Sequence, residues 1–404
     1  MASKSQILIV GGAVAGASTA IRLAEAGVSV TLVEREKFPR HKLCGEFVSP
    51  ECLAHFARLG VSDAMLSRGG DAISETVFFA PGGKSVVVPS QWFLHGGNGA
   101  LGLSRAEMDF HLLERAKDIG VKVFEETQVV GLLLDNSAVQ GIKAKTRGGE
   151  VFEIESSLTI DATGRAAVLG KLFEKEKSRE GSVAQRKGEK QKSKFIAFKA
   201  HLENARIEHG RCEIYFYDRG YGGLNWVENN AANCCFIVAA SAVKRFGNDA
   251  GTIWRETILK NKRAFEAMEN AAPIFDWLAV SIDGFGRKTI QPAANVLAIG
   301  DAAAFVDPFT GSGMLMALES GEAVAAAILN NISALQIGET SQIATEYCAS
   351  HAALFNRRLR VSAFLRRAAF APNLAAAAIQ ILSFSSAARQ LLARATRSTA
   401  SNER

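Results

Sequence analysis

The sequence has 404 residues and lacks the features that mark several classes of protein. Its six cysteines form no C-x-x-C pair and its seven histidines form no H-E-x-x-H motif, so we predict no metal site. The sequence has no run of about 18 apolar residues, so we predict no membrane-spanning helix. The thiols are scattered through a long chain, and the first ten residues are too polar for a signal peptide. We therefore predict a cytoplasmic protein.

The positive charge of the chain is unevenly placed. From Arg357 to Arg404 the chain has nine arginines, no lysine, no aspartate and one glutamate. The net charge of +6 therefore belongs to this region, and the first 356 residues carry a net charge of −2. A body without excess positive charge argues against a nucleic-acid partner.

A glycine-rich turn follows the first apolar run, residues 7–10, and opens a helix predicted over 17–26. The turn reads Gly11-Gly12-Ala13-Val14-Ala15-Gly16, and Glu34 lies eighteen residues after its last glycine. This spacing is typical of a dinucleotide-binding unit, in which a helix N-terminus faces the pyrophosphate and the acid binds the ribose hydroxyls. Ala13 replaces the middle glycine, where the pyrophosphate approaches. The motif does not distinguish NAD from FAD.

Two further strand ends carry small residues, Thr159-Ile160-Asp161-Ala162-Thr163-Gly164-Arg165 and Ala298-Ile299-Gly300-Asp301-Ala302-Ala303. Together with the first turn, they resemble the large FAD-binding group that contains aromatic hydroxylases, flavin-dependent halogenases and geranylgeranyl reductases. The resemblance implies that Asp301 binds the FAD ribitol and that Arg105 contacts the cofactor. It also implies that the run 307–313 leads into a helix whose N-terminus stabilises negative charge on the flavin pyrimidine.

The segment 40–50 resembles one branch of this FAD-binding group in particular. Its Cys44-Gly45-Glu46-Phe47-Val48-Ser49-Pro50 resembles the C-G-x-x-x-S-P segment of the geranylgeranyl reductase branch, which implies that Cys44 lies beside the flavin ring. The alternative for Cys44 is a buried, inert thiol. Residues 221–227 are similar to a turn of the same branch, although its proline is missing. The aromatic hydroxylase segment D-G-x-x-S-x-V-R lacks its serine and last arginine here, and the tryptophan halogenase signature W-x-W-x-I-P is absent.

We therefore predict an α/β (α+β) fold, with a Rossmann-like FAD-binding domain, an inserted β-sheet substrate domain and a helical C-terminus. Thirteen of the 24 residues in 171–194 are charged, so this segment is predicted to be a solvated loop. The Arg-rich region fits either a packed helix with a solvated basic face or peripheral contact with an anionic membrane. The predicted boundaries are 1–75, 98–170 and 282–335 for the FAD-binding domain, 76–97 and 195–281 for the substrate domain, and 336–404 for the C-terminal region.

The predicted function is that of an FAD-dependent oxidoreductase acting on a hydrophobic small molecule, such as an isoprenoid or a polyketide. The reaction that we predict first is hydride transfer from the flavin to a C=C bond, with NAD(P)H or another reductant as electron source. The main alternative is a monooxygenase acting through a C4a-hydroperoxide. A halogenase or a non-catalytic electron-transfer flavoprotein is favoured less. The residues predicted to act in catalysis are Cys44, Gly311 and Gly313. The residues predicted to bind FAD are Gly11, Gly12, Ala13, Ala15, Gly16, Glu34, Arg35, Cys44, Gly45, Arg105, Asp161, Gly164, Gly300, Asp301, Pro308, Gly311, Ser312 and Gly313.

Overall fold

The computed structural model describes residues 3–93, 99–179, 194–395 and 397. The strands, in chain order, are β1 Ser3–Val10, β2 Val30–Val33, β3 Phe47–Val48, β4 Asp71–Ile73, β5 Glu75–Phe79, β6 Ser85–Pro89, β7 Ala100–Gly102, β8 Lys122–Phe124, β9 Thr127–Asp135, β10 Ala138–Thr146, β11 Val151–Asp161, β12 Phe195–Glu203, β13 Arg211–Tyr217, β14 Gly220–Trp226, β15 Ala232–Ala239, β16 Ala272–Pro273, β17 Leu278–Ile282, β18 Gly286–Arg287, β19 Val296–Ala298 and β20 Ala304–Phe305. The helices are α1 Val14–Glu25, α2 Pro50–Arg58, α3 Ser62–Leu66, α4 Arg105–Asp118, α5 Val168–Arg179, α6 Ala240–Phe246, α7 Ala250–Glu256, α8 Lys262–Met268, α9 Gly313–Asn330, α10 Ile332–Gln336, α11 Ser341–Ala369, α12 Pro372–Ser383 and α13 Ser386–Ala395.

A seven-stranded sheet aligns the ends of its parallel strands. Its order is β8-β2-β1-β11-β10-β9, and β19 pairs with the second half of β11. The strands β8, β2, β1, β11 and β19 are parallel, so their carboxyl ends meet at one edge. Val10 is level with Val33 on one side and with Asp161 on the other. Asp161 is in turn level with Ala298, so the turns that follow these four strands converge.

The helices α1, α4 and α9 pack together beside this sheet. Small residues allow α1 and α9 to approach closely: Ala17 and Ala20 are fully buried, and Gly321 of α9 faces α1. A β-carbon at Gly321 would lie 2.6 Å from the hydroxyl oxygen of Thr19. The small-residue helix predicted after the glycine turn is therefore confirmed, and its composition serves this close contact.

An eight-stranded sheet forms a second layer. Its order is β16-β12-β15-β14-β13-β5-β6, with β17 also paired to β12, so residues 75–89 join residues 195–282. One face holds Phe198, Phe236 and Trp254 of one apolar cluster. The opposite face, which includes Phe216 and Tyr221, packs against the C-terminal helices α11 and α12. The predicted α/β (α+β) class with a helical C-terminus is confirmed.

The segment 171–194 is not a loop over its first part. Residues 171–179 belong to α5, and residues 180–193 lie outside the described residues. Leu169 and Phe173, four positions apart, are 1% and 6% exposed and fix one face of the helix in the core. Lys177 lies over the Phe173 ring at 4.7 Å. The charged residues therefore occupy the outer face of a helix, which a count of charges alone does not show.

The helical spacing of residues 253–268 is interrupted in the structure. The helix α7 ends at Glu256, a short 3-10 turn follows, and α8 begins at Lys262. Asn261 causes the new start, since its side-chain oxygen accepts hydrogen bonds from the backbone N–H groups of Arg263 and Ala264. The amide nitrogen of Asn261 also donates to the carbonyl oxygen of Phe216, which ties this cap to the second sheet. Among the described residues, no helix is long and apolar enough to cross a bilayer.

Candidate active site

The turn between β1 and α1 requires glycine at two positions. Gly11 has a φ of +108°, and a β-carbon there would lie 2.4 Å from the carbonyl oxygen of Ala162. A β-carbon at Gly16 would lie 1.8 Å from the carbonyl oxygen of Gly11. Ala13 is the N-cap of α1, offers no side-chain cap, and is followed by a first turn without acidic residues. The N-terminus of α1, which includes Ala15, therefore keeps the positive end of its dipole available to an anion.

Glu34 follows β2 and faces the same turn. It is 5% exposed and accepts hydrogen bonds from the backbone N–H of Gly12 at 2.7 Å and of Glu36 at 3.0 Å. The carboxylate thus fixes the glycine turn in addition to the ribose contact predicted from the sequence. The side chain of Arg35 is 70% exposed and pairs with Glu36 at 3.1 Å. Its predicted contact with FAD stays a prediction.

Cations gather between the segment 40–45 and α4. Arg105 donates two hydrogen bonds to Asp109, of 2.9 and 2.7 Å, and Arg40 lies 3.9 Å from the same carboxylate. Burial and the Arg105 guanidinium lower the pKa of Lys42 to about 8, while Asp109 and Asp301 act in the opposite direction. The buried Nε of Arg40 has no hydrogen-bond partner among the described residues. Three cations therefore share two carboxylates, which favours binding of an anionic group here.

The turn after β11 is held by its own aspartate. The carboxylate of Asp161 accepts hydrogen bonds from the backbone N–H and hydroxyl of Thr163 and from the backbone N–H of Leu169. Burial raises the pKa of Asp161. Gly164 then adopts a φ of +67°, and a β-carbon there would lie 4.0 Å from the Lys42 ammonium. The structure thus places Gly164 at the cation cluster and Asp161 inside the turn.

The turn after β19 brings Asp301 to the same place. Gly300 has a φ of +55° and donates its N–H to the hydroxyl of Ser320 at 2.9 Å. Burial raises the pKa of Asp301, and the charges of Lys42 and Arg165 oppose this shift. Four turns from distant parts of the sequence therefore meet at the carboxyl edge of the parallel strands, as is typical of nucleotide sites in such sheets.

The segment before α9 forms a second uncapped helix start. Asp307 accepts hydrogen bonds from the Tyr221 hydroxyl at 2.5 Å and from the backbone N–H of Phe309 at 3.0 Å, which orients the turn that begins at Pro308. Gly311 has a φ of +59°, and the Ser312 hydroxyl contacts that of Thr310 at 2.7 Å. From Gly313 onward, the first turn of α9 has neither a side-chain cap nor an acidic residue. The N-terminus of α9 thus suits an electron-rich ligand.

Cys44 and Gly45 lie in a loop beside these turns. Cys44 is half-buried, and its sulfur accepts a hydrogen bond from the backbone N–H of Glu46 at 3.5 Å. Asp109 and the Cys44 sulfur both raise the pKa of Arg105, against the effect of burial, so Cys44 and Arg105 are neighbours. Gly45 is exposed, and a β-carbon there would meet nothing within 4 Å. The thiol is therefore half-buried beside Arg105, and its contact with the flavin ring stays a prediction.

Glu46 is the centre of a buried charge cluster that sequence reasoning missed. It is fully buried and adopts a φ of +52°, a conformation that costs a non-glycine residue about 1–3 kcal/mol. Its carboxylate contacts the Lys199 ammonium, accepts a backbone hydrogen bond from Arg105 at 2.8 Å and lies 2.7 Å from Nε2 of His201. Burial disfavours the charged form of Glu46, but Lys199 and His201 hold its pKa below the usual value. The loop of Cys44 is thereby fixed to β12.

A cavity of about 140 Å³ lies between the second sheet and the C-terminal helices. Its lining is almost entirely apolar and comes from β5, β6, β13 and the three helices α11, α12 and α13. Phe309 and Thr310, from the segment before α9, line the cavity as well. Arg389 also lines it; this side chain donates to the carbonyl oxygen of Val87 at 2.8 Å.

The C-terminal region also contacts the segment before α9 directly. Arg397 is 5% exposed, and its guanidinium lies 3.6 Å from Glu51 and 3.4 Å from the carbonyl oxygen of Thr310. Arg366 lies 3.9 Å from Asp307. Several arginines of this region thus face the body of the protein.

These features fit FAD. Two uncapped helix starts, glycine turns that tolerate no β-carbon and a cluster with excess positive charge match a large, doubly anionic dinucleotide. Gly11, Gly12, Glu34, Lys42, Arg105 and Asp301 would hold its adenosine, pyrophosphate and ribitol, and the segments of Cys44 and Gly311 would hold its ring.

The fold and this site define a flavoprotein of the Rossmann-like class, and the chain belongs to the FAD binding domain family, whose profile matches residues 4–333. The protein is an FAD-dependent oxidoreductase. Digeranylgeranylglycerophospholipid reductase of Methanosarcina mazei is 26% identical over 351 residues, which cover 86% of this chain and 79% of that enzyme. Tryptophan 2-halogenase of Chondromyces crocatus is 25% identical over 371 residues, 85% of this chain but only 64% of the halogenase.

Solved structures share the fold over nearly the whole chain. A geranylgeranyl bacteriochlorophyll reductase-like protein from Thermoplasma acidophilum superposes with a TM-score of 0.77 at 18% identity, covering 98% of this chain and 97% of that one. The flavin-dependent brominase Bmp2 gives a TM-score of 0.76 at 19% identity, covering 97% and 94%. Identities this low show a common fold, and the predicted Rossmann-like FAD-binding architecture is confirmed.

Proposed function

We propose that this FAD-dependent oxidoreductase reduces a C=C bond of a hydrophobic molecule, such as an isoprenoid, held in the apolar cavity. The observation that carries the proposal is the position of Phe309 and Thr310. Both line the cavity, and both belong to the turn that leads to Gly311 and Gly313, where we place the flavin ring. A bound substrate would therefore lie next to the cofactor.

The chain contributes a dry, shaped wall and a proton route. When bound and reduced, the flavin supplies the hydride, with NAD(P)H or another reductant as the electron source. The aromatic rings of Phe78, Phe216 and Phe309 pack with centroids 5.6 to 6.5 Å apart, which excludes water beside the substrate.

Saturation of a C=C bond also consumes a proton. The ring of His41, which is exposed, lies 5.2 Å from the ring of His201, and Nε2 of His201 lies 2.7 Å from Glu46. Partial burial of His41 and the Lys199 ammonium lower the pKa of its imidazole. These groups lie between the protein surface and the loop of Cys44, and we assign the proton supply to them.

The relatives support this class of reaction and define its rivals. The similarity to digeranylgeranylglycerophospholipid reductases extends over most of both chains, which favours reduction of an isoprenoid. Halogenation and oxygenation are the rival reactions, since halogenases are among the relatives and a probable FAD-dependent monooxygenase from Pseudomonas aeruginosa shares the fold.

A single-turnover experiment tests the proposal. The holoenzyme is reduced anaerobically with dithionite, freed of excess reductant and mixed with geranylgeraniol in neutral detergent. We expect flavin oxidation without O2 and a product that has gained two hydrogen atoms. A product that forms only with O2, and carries an added oxygen or halogen atom, would contradict the reductive assignment.

Two neighbouring alanines of α12 provide a matched pair of variants. Ala378 lines the cavity, whereas Ala377 is exposed on the outer side of the same helix. Ala378→Trp should fill the cavity and abolish flavin oxidation by geranylgeraniol while the FAD content stays unchanged. Ala377→Trp should retain both. Equal activity of the two variants would place the substrate elsewhere.

A further inference from the structure

The helix α12 has apolar side chains on its outer face as well as on its inner face, and its polar residues Asn373, Gln380 and Ser383 are exposed. It contains no charged residue, and Ala375 and Ile379 on its inner face are 3% and 4% exposed. On its outer face Leu374 and Ile381 are 57% and 69% exposed, and Phe384, just after the helix, is 83% exposed. These three positions and Ala377 recur at intervals of three and four, so they form one stripe along the helix.

The neighbouring helix α11 carries a basic stripe. Arg357, Arg360, Phe364 and Arg367 follow the same helical spacing and are exposed, with Phe364 at 71%. None of these three arginines has an ion pair with a described residue; Arg360 donates only to the carbonyl oxygen of Asn356. The helix α13 adds Leu391, which is 72% exposed.

The arginines of the C-terminal region divide into two groups. Arg358, Arg366 and Arg397 face inward, and each lies beside a carboxylate of the body, namely Glu319, Asp307 and Glu51 respectively. The outward group has apolar side chains as neighbours, and no acidic residue occurs between Arg357 and Ala395. A uniformly positive surface is complementary to an anionic one.

We propose that the outer faces of α11, α12 and α13 bind an anionic lipid surface. Exposed leucine, isoleucine and phenylalanine flanked by arginine are the composition of helices that lie in a membrane interface, with apolar side chains in the acyl region and guanidinium groups at the phosphates. A lipid surface also accepts these five separate protruding apolar side chains without a complementary protein shape.

The inner faces of the same helices line the cavity, through Leu365, Ala369, Ala378 and Leu392. A membrane-soluble substrate could therefore pass from the lipid to the cavity between helices that are apolar on both sides. This consequence rests on the proposed function, whereas lipid binding does not, so the two are tested by different measurements.

The test is cosedimentation of the holoenzyme with vesicles. We expect binding to vesicles of phosphatidylglycerol and phosphatidylcholine, weak binding to phosphatidylcholine alone, and loss of binding as the salt concentration rises. The double variant Ile381→Glu/Phe384→Glu should lower the apparent partition coefficient at least tenfold, with FAD content and melting temperature unchanged. The triple variant Arg357→Gln/Arg360→Gln/Arg367→Gln should remove the preference for the anionic vesicles.

Ile337→Glu is the matched control, because Ile337 is 80% exposed but lies outside these three helices. Its binding should equal that of the unmodified protein. The proposal is overturned if the unmodified protein does not bind anionic vesicles, or if the double variant binds as well as the control. It is also overturned if size-exclusion chromatography shows that the double variant turns a dimer into a monomer, because a second copy then covers this face.

Discussion

The two ends of the proposed active site are built in opposite ways. The cofactor end is polar, positively charged and made of turns that directly follow four parallel strands. The cavity end is apolar, and its walls come from residues as far apart in sequence as Phe78 and Ala393. The first depends on backbone conformations that only particular residues adopt, whereas the second depends on how distant elements pack.

This difference predicts how each end responds to substitution. A turn such as that of Gly11 has no alternative conformation for a residue with a β-carbon, so a single change removes its function. An apolar wall is built from small contributions of many side chains, so it tolerates substitutions that conserve side-chain volume.

Gly11→Val should have the largest effect. The added side chain would meet the carbonyl oxygen of Ala162 at 2.4 Å and force a positive φ on a β-branched residue. We expect the purified variant to contain less than about a tenth of the FAD of the unmodified protein, measured by absorbance after denaturation. Gly27→Val is the control: Gly27 also has a positive φ, of +81°, but a β-carbon there would meet nothing within 4 Å. Equal FAD content in the two variants would contradict the role of the turn.

Glu46→Gln should destabilise the junction between the two ends. It leaves the ammonium of Lys199 buried without its anion, which costs about 3–5 kcal/mol in the free energy of unfolding at neutral pH. Urea denaturation measures this change. Because the pKa of Glu46 is lowered in the folded protein, its contribution is complete above the unfolded pKa and disappears as the pH falls through the folded value. The difference between the two proteins should therefore shrink in acid.

The double variant Glu46→Gln/Lys199→Met separates a charge effect from a packing effect. It removes both charges, so most of the lost stability should return. A double variant no more stable than Glu46→Gln would show that the ion pair is not the cause.

Lys42 should make FAD binding depend on pH. An anionic ligand favours the ammonium, whose pKa in the protein alone is lowered to about 8 by burial and by Arg105. Between pH 7 and 9 the FAD dissociation constant should rise about tenfold in the unmodified protein and stay flat in Lys42→Met. Fluorescence titration of the FAD-free protein gives both curves. A parallel rise in the variant would assign the pH dependence to another group.

Without FAD, the lowered pKa of Lys42 affects folding in the opposite direction: a rise in pH should stabilise the folded protein, whereas it should weaken FAD binding. Since the pKa of Lys42 lies below the ordinary lysine value of 10.5, the folded protein holds this proton less tightly than the unfolded chain. Burial of the ammonium is therefore a penalty below pH 8 that is relieved as the pH rises toward 10.5. The free energy of unfolding should rise with pH in this window relative to that of Lys42→Met.

Cys44→Ser should have the smallest effect on the folded protein. The side chains are similar in size, so FAD content and melting temperature should not change. The hydroxyl is harder and better hydrated than the polarisable thiol, so the rate of flavin reoxidation by substrate should change. Cys212→Ser is the control, because Cys212 is 4% exposed in a separate apolar cluster and should lose stability without a kinetic effect. Normal reoxidation in Cys44→Ser would remove Cys44 from the site.

The sequence predicts the cofactor end because its chemistry is local. Gly11, Glu34 and Asp301 each follow a short apolar strand, and parallel strands bring such positions together without further information. The charge cluster of Glu46, Lys199 and His201 was missed, because it depends on how a loop meets a strand about 150 residues later. Lys199 and His201 alternate along β12 and share one face, which was the available signal.

The cavity and the helix α5 could not be predicted either, because they too depend on packing between distant residues or on a few buried positions. No motif marks residues such as Leu365 and Leu392 as neighbours of Phe309, since only the packing of α11 and α13 on the second sheet brings them together. In residues 171–179 the charges predicted a loop, but Leu169 and Phe173 bury one face and determine a helix. Charge counts describe the solvent side of an element, and a few apolar positions decide its structure.

The helices that close the cavity are synthesised last, after both sheets. The glycine turns, both sheets and the start of α9 precede residues 365–393, which form the wall opposite the sheet. At ribosomal rates of about 5–20 residues per second, the 81 residues from Gly313 to Ala393 take roughly 4–16 s. During that interval the nascent chain presents a flavin site with an open apolar face. Until the helices cover it, this exposed apolar surface makes the nascent chain prone to aggregate.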